Sequence, residues 1–362
     1  MKKLEKITVL KGDGIGPEVV DQAIKVLDVI SEKYGHEFIY DQQLMGAIAI
    51  DKTNNPLPDA TIESCMNADA ILLGAIGDPK YDNDPHAKIR PEQGLLKLRK
   101  TLGLFANIRP VRIFDNLRHL SVLKPEVIEG VDMVIYRELT GGIYFGEKKT
   151  TENEASDLCH YHKYEIERIA RLAFEEAGRR SKKLCLIDKA NVLDTSRLWR
   201  SVIQEMQSDY PEVEVSYLFI DNAAMQMILN PSQFDVIVTS NMFGDIISDE
   251  ASVIGGSIGL LPSSSAGDKA RLYEPVHGSY PQAAGKNIAN PIATILSVEM
   301  MMRDFGLVAE ANDILEAVTY CVDHDLLTID LIKENALLCS EIGDKIAKHI
   351  SSKSKKDYGV LI

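Results

Sequence analysis

Paired cysteines and long apolar runs are missing from this sequence. Its 5 cysteines are widely spaced and no two form a CxxC pair, so neither a disulfide framework nor a zinc site is expected. No stretch reaches the roughly 18 consecutive apolar residues of a membrane-spanning helix, so no membrane partner is expected. The segment Met1–Lys11 has too short an apolar stretch for a signal peptide, and the cytoplasm is the expected location.

Positive charge is in deficit. The 40 Lys and Arg residues face 54 Asp and Glu residues, which gives a formal net charge of −14. A chain with this excess of negative charge repels nucleic acid, which is therefore not expected as a partner. An anionic small molecule remains possible, because a pocket can carry the opposite sign. The length of 362 residues fits two lobes, each with its own core.

Short apolar strands alternate with amphipathic helices along the chain. The patterns predict strands at 7–10, 70–73, 133–136, 183–187, 215–220 and 234–239, and helices at 17–34, 164–177, 198–207, 292–302 and 329–350. This alternation of predicted strands and helices favours an α/β fold with a substantially parallel sheet. The polar segment 141–159 is predicted to be a hairpin or protruding arm, and the C-terminal third to be mainly helical.

The glycine-rich turn Gly12–Pro17 resembles a dinucleotide-binding loop but departs from it at one position. Pro17 stands where the fingerprint requires glycine or alanine for packing of the helix on the strand. A tight strand-to-helix turn is therefore favoured, and any dinucleotide must be held elsewhere. The segment 274–291, rich in small and polar residues before a helix, offers backbone amides for a pyrophosphate, although an inert loop could have the same composition.

Three arginines are candidates for binding a dicarboxylate. Arg109 precedes a proline after an apolar stretch, Arg137 ends an apolar strand, and Arg99 lies in a predicted helix. Arginine binds carboxylates through two parallel hydrogen bonds, and open α/β sheets place ligands at strand ends. Each arginine taken alone is better explained by an ordinary surface position, and the positions at strand ends favour the binding role.

Asp245 and Asp249 are candidates for a divalent-cation site. They lie four residues apart, so on a helix they share one face and repel each other unless a cation intervenes. Asp221 follows a predicted strand and is a third candidate, and oxygen ligands of this kind suit Mg²⁺ or Mn²⁺. Solvated helix charges are the alternative. Lys189 also follows a strand, where a nearby metal and arginines would favour its neutral, basic form.

Several segments together resemble the β-decarboxylating dehydrogenases, the family of isocitrate, homoisocitrate, tartrate and isopropylmalate dehydrogenases. The resemblance runs in unbroken order from residue 11 to about residue 350 and rests on GDGIGPEV, RPEQGLLKLRKTLGLFANIRP, YRELTGGIYFG, DKANVL, DNAAMQ, TSNMFGDIISDE, GSIGLLPS and EPVHGSYPQAAGKNIANP. It implies a two-lobed, non-Rossmann α/β fold with a protruding arm. Residues 1–104 with 256–362 would form the cofactor-binding lobe, and residues 105–255 a central lobe with the dimer interface and the arm.

The resemblance also implies roles for the candidate residues in a homodimer with shared active sites. Lys189 would be the base for the substrate hydroxyl and Tyr144 would protonate the enol, while Lys189 and Asp221 would come from the partner subunit. The implied substrate contacts are Arg99, Arg109, Arg137, Asp221, Leu95 and Leu96, and the implied Mg²⁺ or Mn²⁺ ligands are Asp221, Asp245 and Asp249. The implied cofactor contacts are Pro79, Glu92, Glu274, His277, Gly278, Ser279, Gln282 and Asn290.

The implied reaction is the NAD-dependent oxidation and decarboxylation of a β-substituted malate. Isocitrate enzymes carry Ser and Asn in the segment that reads EQGLL at residues 92–96 here. The two leucines of this segment, Leu95 and Leu96, favour an apolar substituent, as in 3-isopropylmalate, and a place in leucine biosynthesis. A sister activity on isocitrate, homoisocitrate or tartrate is the nearest alternative, and a non-catalytic regulatory subunit is a second one. Gln282 departs from the usual Asp and Tyr280 from a common Ala. Since Gln282 and Ala283 supply no cation for a 2′-phosphate, NAD is expected rather than NADP.

Overall fold

The computed structural model describes residues 4–82 and 88–353. Its strands are β1 (Leu4–Gly12), β2 (Glu37–Gln43), β3 (Ala70–Ala75), β4 (Ala106–Arg112), β5 (Asp132–Glu138), β6 (Lys148–Thr150), β7 (Ala155–Asp157), β8 (Lys183–Asp188), β9 (Glu214–Phe219), β10 (Val236–Thr239), β11 (Pro262–Ala266) and β12 (Arg271–Pro275). Its α-helices are α1 (Gly16–Tyr34), α2 (Ala47–Thr53), α3 (Asp59–Met66), α4 (Pro79–Asp82), α5 (Pro91–Thr101), α6 (Pro125–Ile128), α7 (Lys163–Arg179), α8 (Asp194–Met206), α9 (Ile220–Leu229), α10 (Asn241–Ser252), α11 (Ile292–Asp304), α12 (Val308–Asp323) and α13 (Cys339–Ser352).

The chain divides into two compact units. The first unit contains the residues up to Gly103 and those from Ser257 onward, and the second contains Leu104–Gly256. No helix among residues 4–82 and 88–353 is both long and apolar enough to cross a membrane. All five cysteines are free, and four of them are buried.

The first unit is built on a sheet with the strand order β2-β1-β3-β12-β11. The first four strands run parallel and β11 runs antiparallel to β12. Every residue of β3 is buried, as expected for a parallel strand with both faces covered. Helix α1 buries the apolar stripe predicted from its helical spacing, which includes Val19, Val20, Ala23 and Leu27, and it packs against α13.

The glycine-rich segment after β1 forms a tight strand-to-helix turn, as predicted. The Asp13 carboxylate accepts hydrogen bonds from the backbone N–H groups of Ala47, Ile48 and Gly77 at 2.8, 3.0 and 2.9 Å. Burial nonetheless raises the pKa of Asp13 above its usual range, although the three N–H groups act in the opposite direction. The side chain that follows the first glycine therefore links the turn to the start of α2 and to the segment after β3.

The second unit has a sheet with the strand order β4-β5-β10-β8-β9. Strands β5, β10, β8 and β9 are parallel, and β4 pairs antiparallel with β5. Its core contains apolar residues from three of the central strands and from α10, among them Met133, Ile135, Ile187, Ile237 and Ile247. The strands β6 and β7 form an antiparallel hairpin whose residues are all exposed, in agreement with the predicted hairpin.

Two expectations for the C-terminal third were wrong. The helix predicted at 329–350 begins only at Cys339, because the Asp330 carboxylate is used by loop contacts with Ser257 and Asn290, and Asn335 has a φ of 56°. The strands β11 and β12 lie in a region that was expected to be mainly helical. Their sequences, PSSSA and RLYEP, have little apolar periodicity, and pairing in the sheet decides their structure.

Replacing Gly14 by alanine is expected to destabilise the fold strongly. Gly14 has a φ of +58°, and a Cβ there would lie 1.9 Å from the carbonyl oxygen of Ser279. The left-handed backbone costs an L residue about 1–2 kcal/mol, and overpacking against backbone adds about 1–3 kcal/mol. The matched control is Gly35→Ala, which has a φ of +76° but no atom within 4 Å. Denaturant unfolding should show a clearly larger loss for Gly14→Ala, and equal losses would contradict the steric explanation.

Candidate active site

The polar residues of the second unit gather at one edge of its sheet. Because β5, β10, β8 and β9 are parallel, their carboxyl ends lie at the same edge. Arg137 lies near the end of β5, Asn241 follows β10, Lys189 follows β8 and Asp221 follows β9. The sequence predicted Asp221 at the end of a strand, whereas it is the second residue of α9. Strand ends of this kind are where open α/β folds place their ligands.

The guanidinium of Arg137 is almost fully removed from water and is matched by polar partners. Its side chain is only 8% exposed and donates to Asp245 Oδ1 at 2.5 Å. Asn241 Oδ1 accepts from Arg137 Nη2 at 3.0 Å, and Asn241 Nδ2 donates to the carbonyl oxygen of Gly141 at 3.1 Å. A buried guanidinium needs such partners because leaving a charge unpaired in the interior is costly.

Tyr144 shares a carboxylate with Arg137. Its hydroxyl donates to Asp245 Oδ2 at 2.9 Å, and its ring lies 6.0 Å from the Arg137 guanidinium carbon. Removal from water and the hydrogen bond to Asp245 raise the pKa of Tyr144 above its usual value of 10. The phenol is therefore protonated at neutral pH and is able to donate a proton.

Arg109 forms the second arginine–aspartate pair of this edge. It lies on β4 and donates to Asp249 Oδ1 at 2.7 Å, to Ser248 Oγ at 2.8 Å and to Asn107 Oδ1 at 2.8 Å. Asp245 and Asp249 lie on one face of α10, as their spacing predicts. The structure therefore brings Arg109, Arg137, Tyr144, Asp245 and Asp249 together, and we call these five residues the arginine–aspartate cluster.

Lys189 and Asp221 form a separate pair in the same chain. The Lys189 ammonium donates to Asp221 Oδ1 at 2.6 Å, and this hydrogen bond lowers the pKa of Asp221. The preceding residue, Asp188, is buried and accepts two hydrogen bonds of 2.8 Å from Arg200. The Lys189 backbone N–H donates to Ser196 Oγ at 3.0 Å and the following Ala190 N–H donates to Asp188 Oδ1 at 3.0 Å, so the lysine is anchored on both sides of its Cα.

The carboxylates of α10 fit a hard divalent cation, but one chain supplies only part of a ligand set. Asp245 and Asp249 offer oxygen ligands one helical turn apart, and each keeps unused acceptor capacity beside its arginine. Within residues 4–82 and 88–353 no group of three Asp, Glu, His or Cys residues is placed to hold a metal ion. Asp221 instead pairs with Lys189, so the expected trio is not assembled within a single chain.

Helix α5 of the first unit carries three predicted substrate contacts. Leu96 is 50% exposed, whereas Leu98 is fully buried, and Leu95, which shares a helix face with Leu98, is half-buried. Leu96 therefore lies outside the core, and Leu95 lies at its edge. Arg99 donates to Glu274 Oε1 at 2.8 Å, so the structure pairs a predicted substrate contact with a predicted cofactor contact.

A cavity of about 610 Å³ lies in the first unit beside the predicted nucleotide segment. Its lining includes the predicted cofactor residues His277, Gly278 and Asn290, together with Asp330, Tyr280 and the apolar side chains Ile15, Ile258, Ile288 and Ile329. Among the described residues His277 Nε2 has no hydrogen-bond partner although it is buried, and burial lowers the pKa of His277. An apolar cavity of this size with a few converging polar atoms fits the adenosine half of a dinucleotide.

The other predicted cofactor contacts lie around the same segment or near α4. Ser279 is buried and its carbonyl oxygen accepts from the Ile15 N–H at 2.8 Å, while Gln282 is exposed. Pro79 begins α4, and Glu92 lies near Gly77. Residues 83–87 of the loop predicted to approach the nicotinamide lie outside the described residues.

Four residues that organise these sites were missed by sequence reasoning. Asn241 and Asp188 each lie at the end of a strand beside a predicted site residue, a position that could have identified them. Arg200 and Asp330 carried no local signal, because the residues they contact are distant in sequence. Arg200 lies 12 residues from Asp188, and Asp330 lies 40 residues from Asn290. The histidine pair His160 and His162 is exposed, as expected for surface residues.

Comparison with known proteins identifies the family. The model of the isocitrate/isopropylmalate dehydrogenase family matches residues 6–346. A 3-isopropylmalate dehydrogenase of Wolinella succinogenes is 54% identical over 98% of this chain and 100% of the relative, and one of Aquifex aeolicus is 52% identical over 97% and 98%. The crystal structure of isocitrate dehydrogenase from Methylococcus capsulatus gives a TM-score of 0.85 at 34% identity, covering 96% of this chain and 99% of that one.

The protein is therefore an α/β dehydrogenase with a substantially parallel sheet. More specifically, the chain belongs to the isocitrate/isopropylmalate dehydrogenase family, because the family model spans nearly all of it and relatives more than half identical cover it almost end to end. The predicted fold class and family are confirmed.

Replacing Gly244 by alanine is expected to displace Arg137. A Cβ at Gly244 in α10 would lie 2.5 Å from Arg137 Cγ and 2.7 Å from its Cβ, and neither atom can move without moving the whole side chain. A misplacement of about 1 Å in a positioning group can cost on the order of 100-fold in rate. The control is Gly178→Ala in α7, where the nearest atom is 3.6 Å away. Steady-state dehydrogenase assays of the two folded variants should separate them, and equal activity would contradict this role of Gly244.

Proposed function

We propose that this protein is an NAD-dependent enzyme that oxidises and decarboxylates (2R,3S)-3-isopropylmalate to 4-methyl-2-oxopentanoate in leucine biosynthesis. The main support is the arginine–aspartate cluster, which presents two arginines, two carboxylates and a protonated phenol at one sheet edge. Relatives named 3-isopropylmalate dehydrogenase, 52–54% identical to this chain, support the same substrate. The isocitrate dehydrogenase neighbour is only 34% identical.

The arginines and leucines supply the specificity in this proposal. Arg99, Arg109 and Arg137 bind the two carboxylates of the malate, which match guanidinium groups in planar hydrogen bonds. Leu95 and Leu96 contact the isopropyl group, since neither is buried in the core. Burying three extra carbons contributes roughly 2 kcal/mol, on the order of thirtyfold over malate. The γ-carboxylate of isocitrate would be desolvated against leucine without a partner, so discrimination against it is expected to be larger.

Two residues move protons in the proposed reaction. Lys189 takes the proton of the substrate hydroxyl, and its backbone anchors at Asp188 and Ser196 hold it in place. Tyr144 supplies the proton to the carbon that loses carbon dioxide. When bound, NAD would supply the hydride acceptor, and Mg²⁺ or Mn²⁺ would supply the Lewis acid for the carbonyl from which carbon dioxide is lost.

The metal and the cofactor are held by different residues. Asp245 and Asp249 of one chain with Asp221 of a second copy would supply the carboxylates for Mg²⁺ or Mn²⁺. The 610 Å³ cavity would hold the adenosine half of NAD, with Glu274, Ser279 and Gln282 around it and Pro79 and Glu92 toward the nicotinamide. The first unit is thus the cofactor-binding lobe in this proposal.

We also propose a homodimer in which each active site uses residues of both copies. Helices α9 and α10 expose large apolar side chains that a monomer would leave in water, namely Met225, Ile228, Leu229 and Ile246. Asp221 lies on α9 and the other two proposed metal ligands lie on α10. A second copy packed on these helices would therefore bring Lys189 and Asp221 to the arginine–aspartate cluster. A cytoplasmic location agrees with the five free cysteines.

The proposed substrate is tested by turnover of a panel of acids. The wild-type enzyme should turn over 3-isopropylmalate faster than malate, isocitrate, homoisocitrate or tartrate. It should use NAD rather than NADP as the cofactor. Its activity should be lost in excess chelator and should return when Mg²⁺ or Mn²⁺ is added. The double change Leu95→Ser with Leu96→Asn should reduce the preference for isopropylmalate over malate by on the order of thirtyfold.

The leucine experiment has an internal control. Leu98→Ala removes a fully buried side chain of the same helix and should lower the free energy of unfolding by about 2–5 kcal/mol. The double variant should lose much less stability, because Leu96 is half exposed. If the double variant unfolds like Leu98→Ala, or leaves the substrate preference unchanged, the assignment of these leucines is wrong.

The shared-site proposal is tested by complementation. Lys189→Ala and Tyr144→Phe chains with different tags are co-expressed, and the heterodimer is purified. One of its two sites then combines an intact arginine–aspartate cluster with an intact Lys189, so the heterodimer should recover about half of the wild-type activity per dimer while both parents stay inactive. A pure heterodimer with no more activity than its parents would exclude sites shared in this way.

A further inference from the structure

Tyr280 has a backbone conformation that is unfavourable for its residue type. Its φ is 37° and its ψ is 63°, in the left-handed region, where a bulky side chain is an outlier. It also precedes Pro281, and the proline ring further restricts the backbone of the residue before it. Conformations of this kind persist at functional sites because surrounding structure holds them in place.

The surroundings of Tyr280 hold the backbone but leave the side chain in the open. Its carbonyl oxygen accepts from the Ala283 N–H at 3.0 Å, and the neighbouring Ser279 carbonyl oxygen accepts from Ile15 N–H at 2.8 Å. The Tyr280 side chain is nevertheless 55% exposed and lines the 610 Å³ cavity. The strain is therefore not offset by burial of the ring in the core.

The cavity next to Tyr280 has the chemistry of a purine site. Ile258, Ile288 and Ile329 form its apolar lining, and Asn290 and Asp330 add polar atoms. His277 also lines the cavity, and its buried Nε2 has no hydrogen-bond partner among the described residues. Flat apolar surfaces with an aromatic ring at the rim bind heteroaromatic bases by stacking.

We propose that Tyr280 is a cofactor-recognition residue whose ring stacks on the adenine of the bound dinucleotide. This inference rests on the proposed use of NAD and extends it to a residue with no assigned role. The left-handed backbone at residue 280 turns the ring toward the cavity, so the strain is retained for binding. The adenine half of the cofactor should depend on this ring, while the nicotinamide half should not.

Equilibrium binding by calorimetry tests this inference without any turnover. Wild-type protein and the variants Tyr280→Phe, Tyr280→Ala and Tyr280→Gly are titrated with NAD, with adenosine monophosphate and with nicotinamide mononucleotide. Tyr280→Phe should bind like wild type, whereas the alanine and glycine variants should bind NAD and adenosine monophosphate about tenfold more weakly. Binding of nicotinamide mononucleotide should be the same in all four proteins.

Thermal unfolding without ligand tests whether the backbone is strained. Tyr280→Gly should raise Tm, because glycine adopts left-handed conformations without a steric penalty. Lys182→Gly is the matched control, since Lys182 has a φ of 62° in the other unit; it should raise Tm in the same way and leave nucleotide binding unchanged. A fall in Tm for Tyr280→Gly would show that the ring is retained for packing and would overturn the inference.

The outcomes separate this inference from the proposed function. If folded wild-type protein binds no NAD, the cofactor of the proposed function is wrong. If wild type binds NAD but Tyr280→Ala binds adenosine monophosphate equally well, or Tyr280→Phe loses as much affinity as Tyr280→Ala, only the role of the Tyr280 ring is overturned.

Discussion

The guanidinium of Arg137 is buried near the end of β5, so its positive charge has to be paired there with negatively charged or polar groups. Asp245 and Asn241 match it from the first turns of α10, and the absence of a side chain at Gly244 leaves room for its aliphatic part. Removing Asp245 would take away this counter-charge, and removing Asn241 would take away two hydrogen bonds of the guanidinium. Because Tyr144 binds the second oxygen of Asp245, the same ion pair also fixes the phenol that acts as proton donor in the proposed reaction.

Parallel strands explain why functional residues collect in both units. In the second unit the carboxyl ends of β5, β10, β8 and β9 place arginine, asparagine, lysine and aspartate at one edge. In the first unit β1, β3 and β12 are parallel, and their carboxyl ends lead into the Gly12–Gly16 turn, α4 and the His277–Ser279 segment. The loops that follow such strands tolerate polar and strained residues, since their backbone is not used in the sheet.

The sequence predicted the residues whose signal is local. Arg137 lies near the end of an apolar strand, Lys189 follows one, and Asp245 and Asp249 share one helical face, as predicted. Asp221 lies in the first turn of the helix that follows β9. The strands β11 and β12 and the irregular segment 329–338 were not predicted. The strand β12 depends on pairing with β3, and β11 depends on pairing with β12. The irregular segment depends on the contacts of Asp330 with Ser257 and Asn290, and β3, Ser257 and Asn290 are all distant in sequence from the elements they contact.

By itself the sequence determined the α/β class, the family and the residue types that can carry the chemistry, because these depend on periodicity and on motifs that are contiguous in the chain. Only the tertiary structure decided which charges pair. It placed Arg109 with Asp249, Arg137 with Asp245, Lys189 with Asp221 and Arg99 with Glu274. It also revealed the left-handed backbone of Tyr280. Such pairings are set by the packing of elements distant in sequence, and local patterns carry no information about them.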